Sequence, residues 1–515
     1  MARRSNIEFD ALVVGGGHNG LVAAALLARA GRSVAVLERL PRVGGAAVSA
    51  APFAGIEARL SRYAYLVSLL PATMSTALGL RVRLRPRAIA SYTPSGAVGL
   101  LVQEDRRATR ESMARVIGET GAFDAWDRFQ ATLARVAQRV FPTLTEPLRS
   151  RDQMRKLVDD DPAWRALFEE PLAAVLRREF TSDLVRGLLC TDATIGTFAP
   201  ADDPLLRQNR CFLYHVIGGG TGRWNVPVGG MGALSDELAS AARRAGARIY
   251  TDTEVVAIGT DGRVAEVICA EGARFQARHV LVNVSPAGLA RLRGDPDPSH
   301  RPEGSQLKIN MLLARLPRLR DSQVTPEQAF AGTFHVNEGL DQLQRAYAEA
   351  ARGQIPTEPP CELYCHSLTD RSILSPELRA AGAHTLTLFG LHMPARLFAT
   401  EPAERKRQAV TATIGSVDSV LAEPLEDCLW RTAEGEPCLE ALIPPEIERE
   451  LAMPGGHIFH RDLAWPYAES EAEVGAWGVE TPDANVWLCG AGARRGGGVS
   501  GIPGYNAARA VLAAS

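Results

Sequence analysis

No C-x-x-C pair occurs among the eight cysteines of this sequence. The closest two, Cys361 and Cys365, fall in a segment that reads as one strand and lack the further ligands a zinc site needs. Reduced, buried thiols of a cytosolic protein are expected, and no metal site. A disulfide reductase, which works through a redox cysteine pair beside its flavin, is excluded. No uninterrupted run of about eighteen apolar residues is present, so no membrane-spanning helix is expected. Met1-Ala2-Arg3-Arg4-Ser5 leads toward the first strand without an apolar signal region. The formal net charge is only −2, which removes any argument for a nucleic-acid partner. Repeats and low-complexity tracts are absent as well.

At 515 residues, 46% hydrophobic and 23% charged, the chain has a globular composition and is long enough for two domains. Ala11 to Val14 reads as a buried strand, followed by Gly15, Gly17 and Gly20 in G-x-G-x-x-G spacing. Leu21, Ala24, Ala25 and Leu27 give the helix that follows a small-residue apolar face, and Gly31 stops it. The glycines serve a tight turn, close approach to a pyrophosphate and close helix–sheet packing. The helix N-terminus offers N–H groups and a positive dipole end to phosphates. Val34 to Leu37 forms the next strand, and Glu38 stands about twenty residues beyond the glycines, where a carboxylate binds ribose hydroxyls. Arg39 would suit the 2′-phosphate of NADP, but Glu38 would repel it. Gly44, Gly45 and Ala46 supply a second close backbone approach, which the longer FAD molecule needs.

Farther along, Pro71 opens a short helix ending near Gly79, and Ala88–Val102 reads as a hairpin turning at Thr93-Pro94-Ser95-Gly96. Arg106 to Arg186 is helical, with amphipathic surface helices as the first reading and a face toward a membrane or lipid substrate as the sharper one. Ala233–Ala245 is a helix, and the strands around Gly259-Thr260-Asp261-Gly262 form a hairpin. His279–Val284 is a further strand. Residues 305–450 follow a sheet pattern with helices on one side, including strands at Lys308–Leu313 and Thr385–Phe389. A second strand–glycine–helix unit closes the chain, through Gly490, Gly492, Gly496-Gly497-Gly498-Val499-Ser500-Gly501 and a helix from Tyr505.

The stretches Val14–Ala47, Val226–Ala233 and Cys489–Ala508 together resemble the phytoene desaturase-like family of FAD-dependent oxidoreductases, related to amine oxidases and retinol saturase. The segment at 496–504 is similar to the branch labelled pyridine nucleotide-disulfide oxidoreductase domain proteins. The resemblance implies an α/β fold. Its Rossmann-type FAD-binding domain would be built from residues 1–70, 225–295 and 455–515. Residues 71–224 and 296–454 would form an α+β substrate domain of mixed sheet and helices. It implies that Gly15, Gly17, Gly20, Glu38, Arg39, Gly44, Gly45 and Ala46 lie along the ADP half, with Val255 near the adenine. Gly490, Gly492, Gly498, Val499 and Gly501 would approach the flavin ring. Ala493-Arg494-Arg495 stands where that branch often carries Thr-His-Pro, and Arg461 replaces a glycine, which points away from the family's better-known lipids.

A flavin exchanges a hydride at N5 with an activated C–H bond or a conjugated alkene, while the protein sets orientation and access. His460 is the candidate acid–base residue and Arg495 the second catalytic candidate. Arg494, His215 and Tyr214 are expected on the substrate side, the arginine forks suiting a carboxylate. The expected activity is an FAD-dependent dehydrogenase or desaturase of CH–CH bonds in a largely apolar substrate. A flavin-dependent amine oxidase or isomerase, and a non-catalytic flavin-holding interaction protein, stand as alternatives. The expected partners are a small or lipid-like substrate and an external electron acceptor such as oxygen or a quinone. Peripheral membrane contact and a homo-oligomer are left open.

Overall fold

The computed structural model describes residues 8–119, 121–296 and 301–514, so the N-terminal stretch Met1–Ser5 lies outside the described residues. Apolar runs without alternation build a sheet buried on both faces, as parallel strands require. Strand Phe9–Val14 lies between Val34–Leu37 and Arg274–Val282, parallel to both. Arg248–Tyr250 extends one side in parallel, and Val486–Leu488 pairs in parallel with the far end of Arg274–Val282. The hairpin Val255–Thr260 and Ala265–Cys269 completes that sheet in antiparallel fashion. Strands from the beginning, middle and end of the chain therefore share one layer.

Helix His18–Arg29 covers this sheet together with Met231–Arg244 and Ile502–Ala513. Its alanine-rich face admits another backbone at short range. A methyl group at Gly504 would stand 1.9 Å from the Asn19 carbonyl oxygen. The other face of the sheet is packed by Phe9, Leu12, Ala35, Leu37 and Val282.

A second seven-stranded sheet runs in the order Leu439–Leu442, Leu307–Leu313, His384–Gly390, Cys361–Tyr364, Thr333–Val336, Ile89–Ser95, Val98–Gln103. It is antiparallel except where Thr333–Val336 meets Ile89–Ser95. The hairpin expected around residue 94 turns later, because the strand continues through Pro94 to Ser95. Proline is accommodated there because pairing with Thr333–Val336 stops at Tyr92, so no second ladder needs its missing N–H.

Six α-helices between Arg106 and Cys190 form a separate layer, three of them capped by the side chains of Asp105, Ser150 and Asp160. Their apolar faces meet around Trp164 and Phe168, whose rings stack 4.2 Å apart. Large apolar side chains exposed among the described residues are Leu205, Val256 and Val474, set on separate segments. No helix of the described residues is long and apolar enough to cross a membrane.

Candidate functional site

A cavity of about 1010 Å³ runs between the two sheets, from Glu38 and Val255 at one end to Lys308 and Glu362 at the other. That is the upper end of the range for small-molecule sites. Its first wall is the turn after strand Phe9–Val14. Gly15 holds φ +97, which a side chain would resist, and a methyl at Gly20 would stand 2.3 Å from the Gly15 carbonyl oxygen. Gly17 precedes helix His18–Arg29, which has no side-chain cap and no acid in its first turn. Its N–H groups are thus available to a phosphate. The Gly44 N–H donates to the Gly16 carbonyl at 2.9 Å, drawing Gly45 and Ala46 up to the same wall.

Glu38 ends the neighbouring strand with its carboxylate in the cavity, 6% exposed. It accepts the Gly16 N–H at 2.7 Å and the Leu40 N–H at 2.9 Å. Burial raises its carboxyl above the usual range, against the pull of those two donors. Val255 lines the wall beside it. The backbone of Arg39 follows, but its guanidinium turns outward to the Glu450 carbonyl. A glycine turn, uncapped helix start and buried carboxylate fit the ADP part of a dinucleotide, and these residues would hold it.

The middle of the cavity joins the two ends of the sequence. The Gly498 N–H donates to the Tyr214 hydroxyl at 2.7 Å, and the Gly498 carbonyl oxygen lies 3.2 Å from His18 Nε2. Gly497 and Val499 line the wall alongside Tyr214, His215 and His460. His215 uses Nδ1 on the Cys211 carbonyl at 2.8 Å. His460 has φ +67, and its buried Nδ1 has no partner. Burial lowers its pKa to about 4, so the ring is neutral at neutral pH. Gly490, Gly492 and Gly501 sit behind this wall, packed on Asn283, Pro286 and Val22 respectively. Gly20 and Gly44 likewise act by packing.

Arg495, expected as a catalytic residue, and Arg494, expected on the substrate side, have their guanidiniums elsewhere, and both expectations are corrected. Arg495 is 6% exposed and donates to the carbonyls of Thr143 at 3.0 Å, Glu146, and Trp477 at 2.6 Å. Its positive φ turns it away from the cavity and into a cluster of backbone acceptors. Arg494 pairs with Glu469 and Glu473, each at 2.6 Å. These guanidiniums join segments rather than meet a ligand.

Residues not singled out by sequence form the far end of the cavity. Lys308 is 1% exposed in a strand that is buried throughout. Its ammonium donates to Asn310 Oδ1 at 2.7 Å and lies 5.0 Å from the centre of the Tyr65 ring. Burial depresses its pKa well below the ordinary value. Arg87, Asp192, His335, Glu362 and Tyr364 line the same cavity, and in the sheet Phe389 lies between Lys308 and Glu362. A lysine inside an apolar strand was the available signal, since an unpaired charge is costly to bury.

Residues 13–74 match the family model described as an NAD(P)-binding Rossmann-like domain, and residues 128–314 match that of the flavin containing amine oxidoreductases. Mouse pyridine nucleotide-disulfide oxidoreductase domain-containing protein 2 is 30% identical, over 98% of this chain and 93% of its own length. The chain belongs to that family. An uncharacterized protein of Mycobacterium tuberculosis is 50% identical to this family member, over 98% of this chain and 97% of the relative. A putrescine oxidase variant shares the fold with a TM-score of 0.60 at 18% identity, covering 99% of this chain and all of that one. Cyclohexylamine oxidase from Brevibacterium oxydans gives 0.57 at 17% identity, over 98% and 99%. The architecture is thus the Rossmann-type α/β fold of flavin-dependent oxidoreductases. The disulfide in the family label has no counterpart here, because all eight cysteines are free and buried.

Proposed function

We propose that this protein is an FAD-dependent dehydrogenase or desaturase of the phytoene desaturase-like branch, acting on CH–CH bonds of a largely apolar substrate that carries one polar group. The observation that carries the reading is the continuity of one cavity from the dinucleotide-type wall at Gly15 and Glu38 to the end at Lys308. FAD bound along that wall would supply hydride chemistry at N5. Gly15, Gly17, Glu38, Gly45 and Val255 would hold its ADP half, and Gly498 and Val499 would border its ring. Trp126, Leu133, Leu188 and Phe212 offer the substrate an apolar wall, and Lys308 and Arg87 offer its polar group hydrogen-bond donors. Holding the reacting carbon in place contributes on the order of 7 kcal/mol or more in well-oriented systems. Oxygen or a quinone would reoxidise the cofactor.

Amine oxidation is the second reading, favoured by the family match over residues 128–314 and by the Asp192 carboxyl group on the cavity wall, an acceptor for an amine. Anaerobic titration of the FAD-loaded protein separates the two. Bleaching of the flavin band by a saturated or partly saturated hydrocarbon acid, ketone or terpenoid, with a new C=C bond in the product, is expected. Bleaching by primary amines alone would replace the first reading with the second. A protein that binds no FAD would refute both.

A further inference from the structure

Strands Thr333–Val336 and Cys361–Tyr364 pair with His335 directly opposite Glu362. Side chains opposite one another in a ladder share a face, so this register sets imidazole beside carboxyl inside the cavity. His335 Nδ1 lies 3.6 Å from Glu362 Oε1. The other Glu362 oxygen, Oε2, accepts a hydrogen bond from the Tyr364 hydroxyl. The chain then turns at Asn337, φ +56, a conformation asparagine tolerates better than most residues. That turn brings Glu338 back against His335, and its Oε2 meets Nδ1 in a direct hydrogen bond. The position of Glu338 is fixed from behind, because its carbonyl oxygen would be 1.7 Å from a methyl at Gly187. His335, Glu362 and Tyr364 line the cavity, whereas Glu338 does not.

A carboxylate behind an imidazole fixes the tautomer. Nδ1 carries the proton toward Glu338, and Nε2 is left as the basic nitrogen for whatever occupies the cavity. We propose that Glu338 and His335 form an oriented acid–base pair at the substrate end of the cavity, with His335 the catalytic base and Glu338 its positioning residue. The proposal rests on the flavin-dependent reading above. In desaturation, one substrate C–H bond breaks, its proton forms an N–H bond at His335 Nε2, and its electron pair becomes the new C=C bond. The neighbouring C–H bond breaks as a hydride, which the flavin accepts. The reaction balances as loss of one proton and one hydride.

The groups facing His335 are Glu338, Glu362, Asp192 and Arg87. Glu338 faces Thr191 and Asp192 as well. Burial holds the Glu338 carboxyl well above its usual range and Glu362 at about 8, while it lowers His335. Burial thus disfavours charge on each group taken alone; the direct hydrogen bond between Glu338 Oε2 and His335 Nδ1 offsets this for the pair and keeps a proton between those two atoms, while Glu362 stays protonated near neutral pH.

Two measurements on the full-length protein test this. In protein with ¹⁵N-labelled histidine, with and without FAD, a far-downfield Nδ1 proton should be present in wild type and absent in Glu338→Gln. This readout needs no turnover. In the FAD-loaded protein, His335→Gln should slow substrate-dependent flavin bleaching by about a hundredfold or more. Glu338→Gln should move the ascending pH limb to lower pH, since loss of the carboxylate weakens the base. Imidazole should partly restore His335→Ala. The pair is refuted if the downfield proton survives in Glu338→Gln, or if bleaching by wild type and Glu338→Gln has the same pH profile. It is also refuted if one divalent metal per chain copurifies and is lost in His335→Gln. Presence of the NMR signal in a protein that binds no flavin would leave the pair standing and sink the reading of the function.

Discussion

Replacing Arg495 by methionine should cost stability while leaving the reaction chemistry intact. The guanidinium serves three carbonyls, two of them at the end of the short helix Phe141–Thr145 and its following residue, the third at Trp477. Methionine fills a similar volume but donates nothing. The Thr143 carbonyl keeps the Glu146 N–H; each of the other two acceptors left unpaired costs about 1–3 kcal/mol, and relaxation or an entering water recovers part of that, so about 2–4 kcal/mol is expected in total. The arginine is charged at neutral pH even though burial lowers its pKa to about 10. Arg495→Lys should recover only part of the loss, because one ammonium cannot span the three directions of the planar fork. Thermal and urea unfolding, followed by circular dichroism, should show a lower midpoint for both variants, methionine the larger. Bleaching rates of folded, FAD-loaded Arg495→Met should stay near wild type. An unchanged midpoint with bleaching lost would return this guanidinium to the chemistry and refute the argument.

Glu38→Ala should weaken FAD binding by about tenfold or more, the scale of one charge-assisted hydrogen bond, read by quenching of flavin fluorescence. Gly504→Val should lower the melting temperature and FAD retention together, because overpacking costs roughly 1–3 kcal/mol and shifts the helix that faces the phosphates. Native protein should show no fast phase with a thiol reagent, since every thiol is buried and burial raises Cys365 and Cys428 to about 11. His392 is buried with neither ring nitrogen partnered and has a pKa of about 4. The unfolded chain therefore binds more protons between about pH 6.5 and 4, and stability should fall on acidification through that window by up to about 1.4 kcal/mol per pH unit for this group. His392→Leu should fall less steeply in melts at pH 7 and pH 5.

The wall built on the glycine turn and Glu38 is legible because its parts are consecutive. Strand, glycines, helix, strand and Glu38 occupy some thirty residues, and local spacing determines their arrangement. Tyr214, His215 and His460 line the cavity, though they come from two distant segments. Arg494 and Arg495 were misread because an arginine pair beside a glycine run has the same sequence whether it faces a ligand or a carbonyl cluster. The partners that decide it, Thr143, Glu146 and Trp477, come from other segments. The pairing of His335 with Glu362 depends on the register of two strands and on the turn at Asn337, so no local pattern marks it. Lys308 alone left a trace, as one cation in an apolar strand.

The contact between His18 and Gly498 spans 480 residues. Its consequence is one of timing. At about 5–20 residues per second, the Gly15–Gly20 turn leaves the ribosome roughly 25–100 s before the loop and helix that close over it. Through that interval the alanine-rich stripe of helix His18–Arg29 has no Ile502–Ala513 to cover it, and the cavity lacks its Gly497–Val499 wall. A ribosome stalled short of Val486 therefore holds a chain with its Gly15–Gly20 turn made and the Gly497–Val499 wall of the cavity missing.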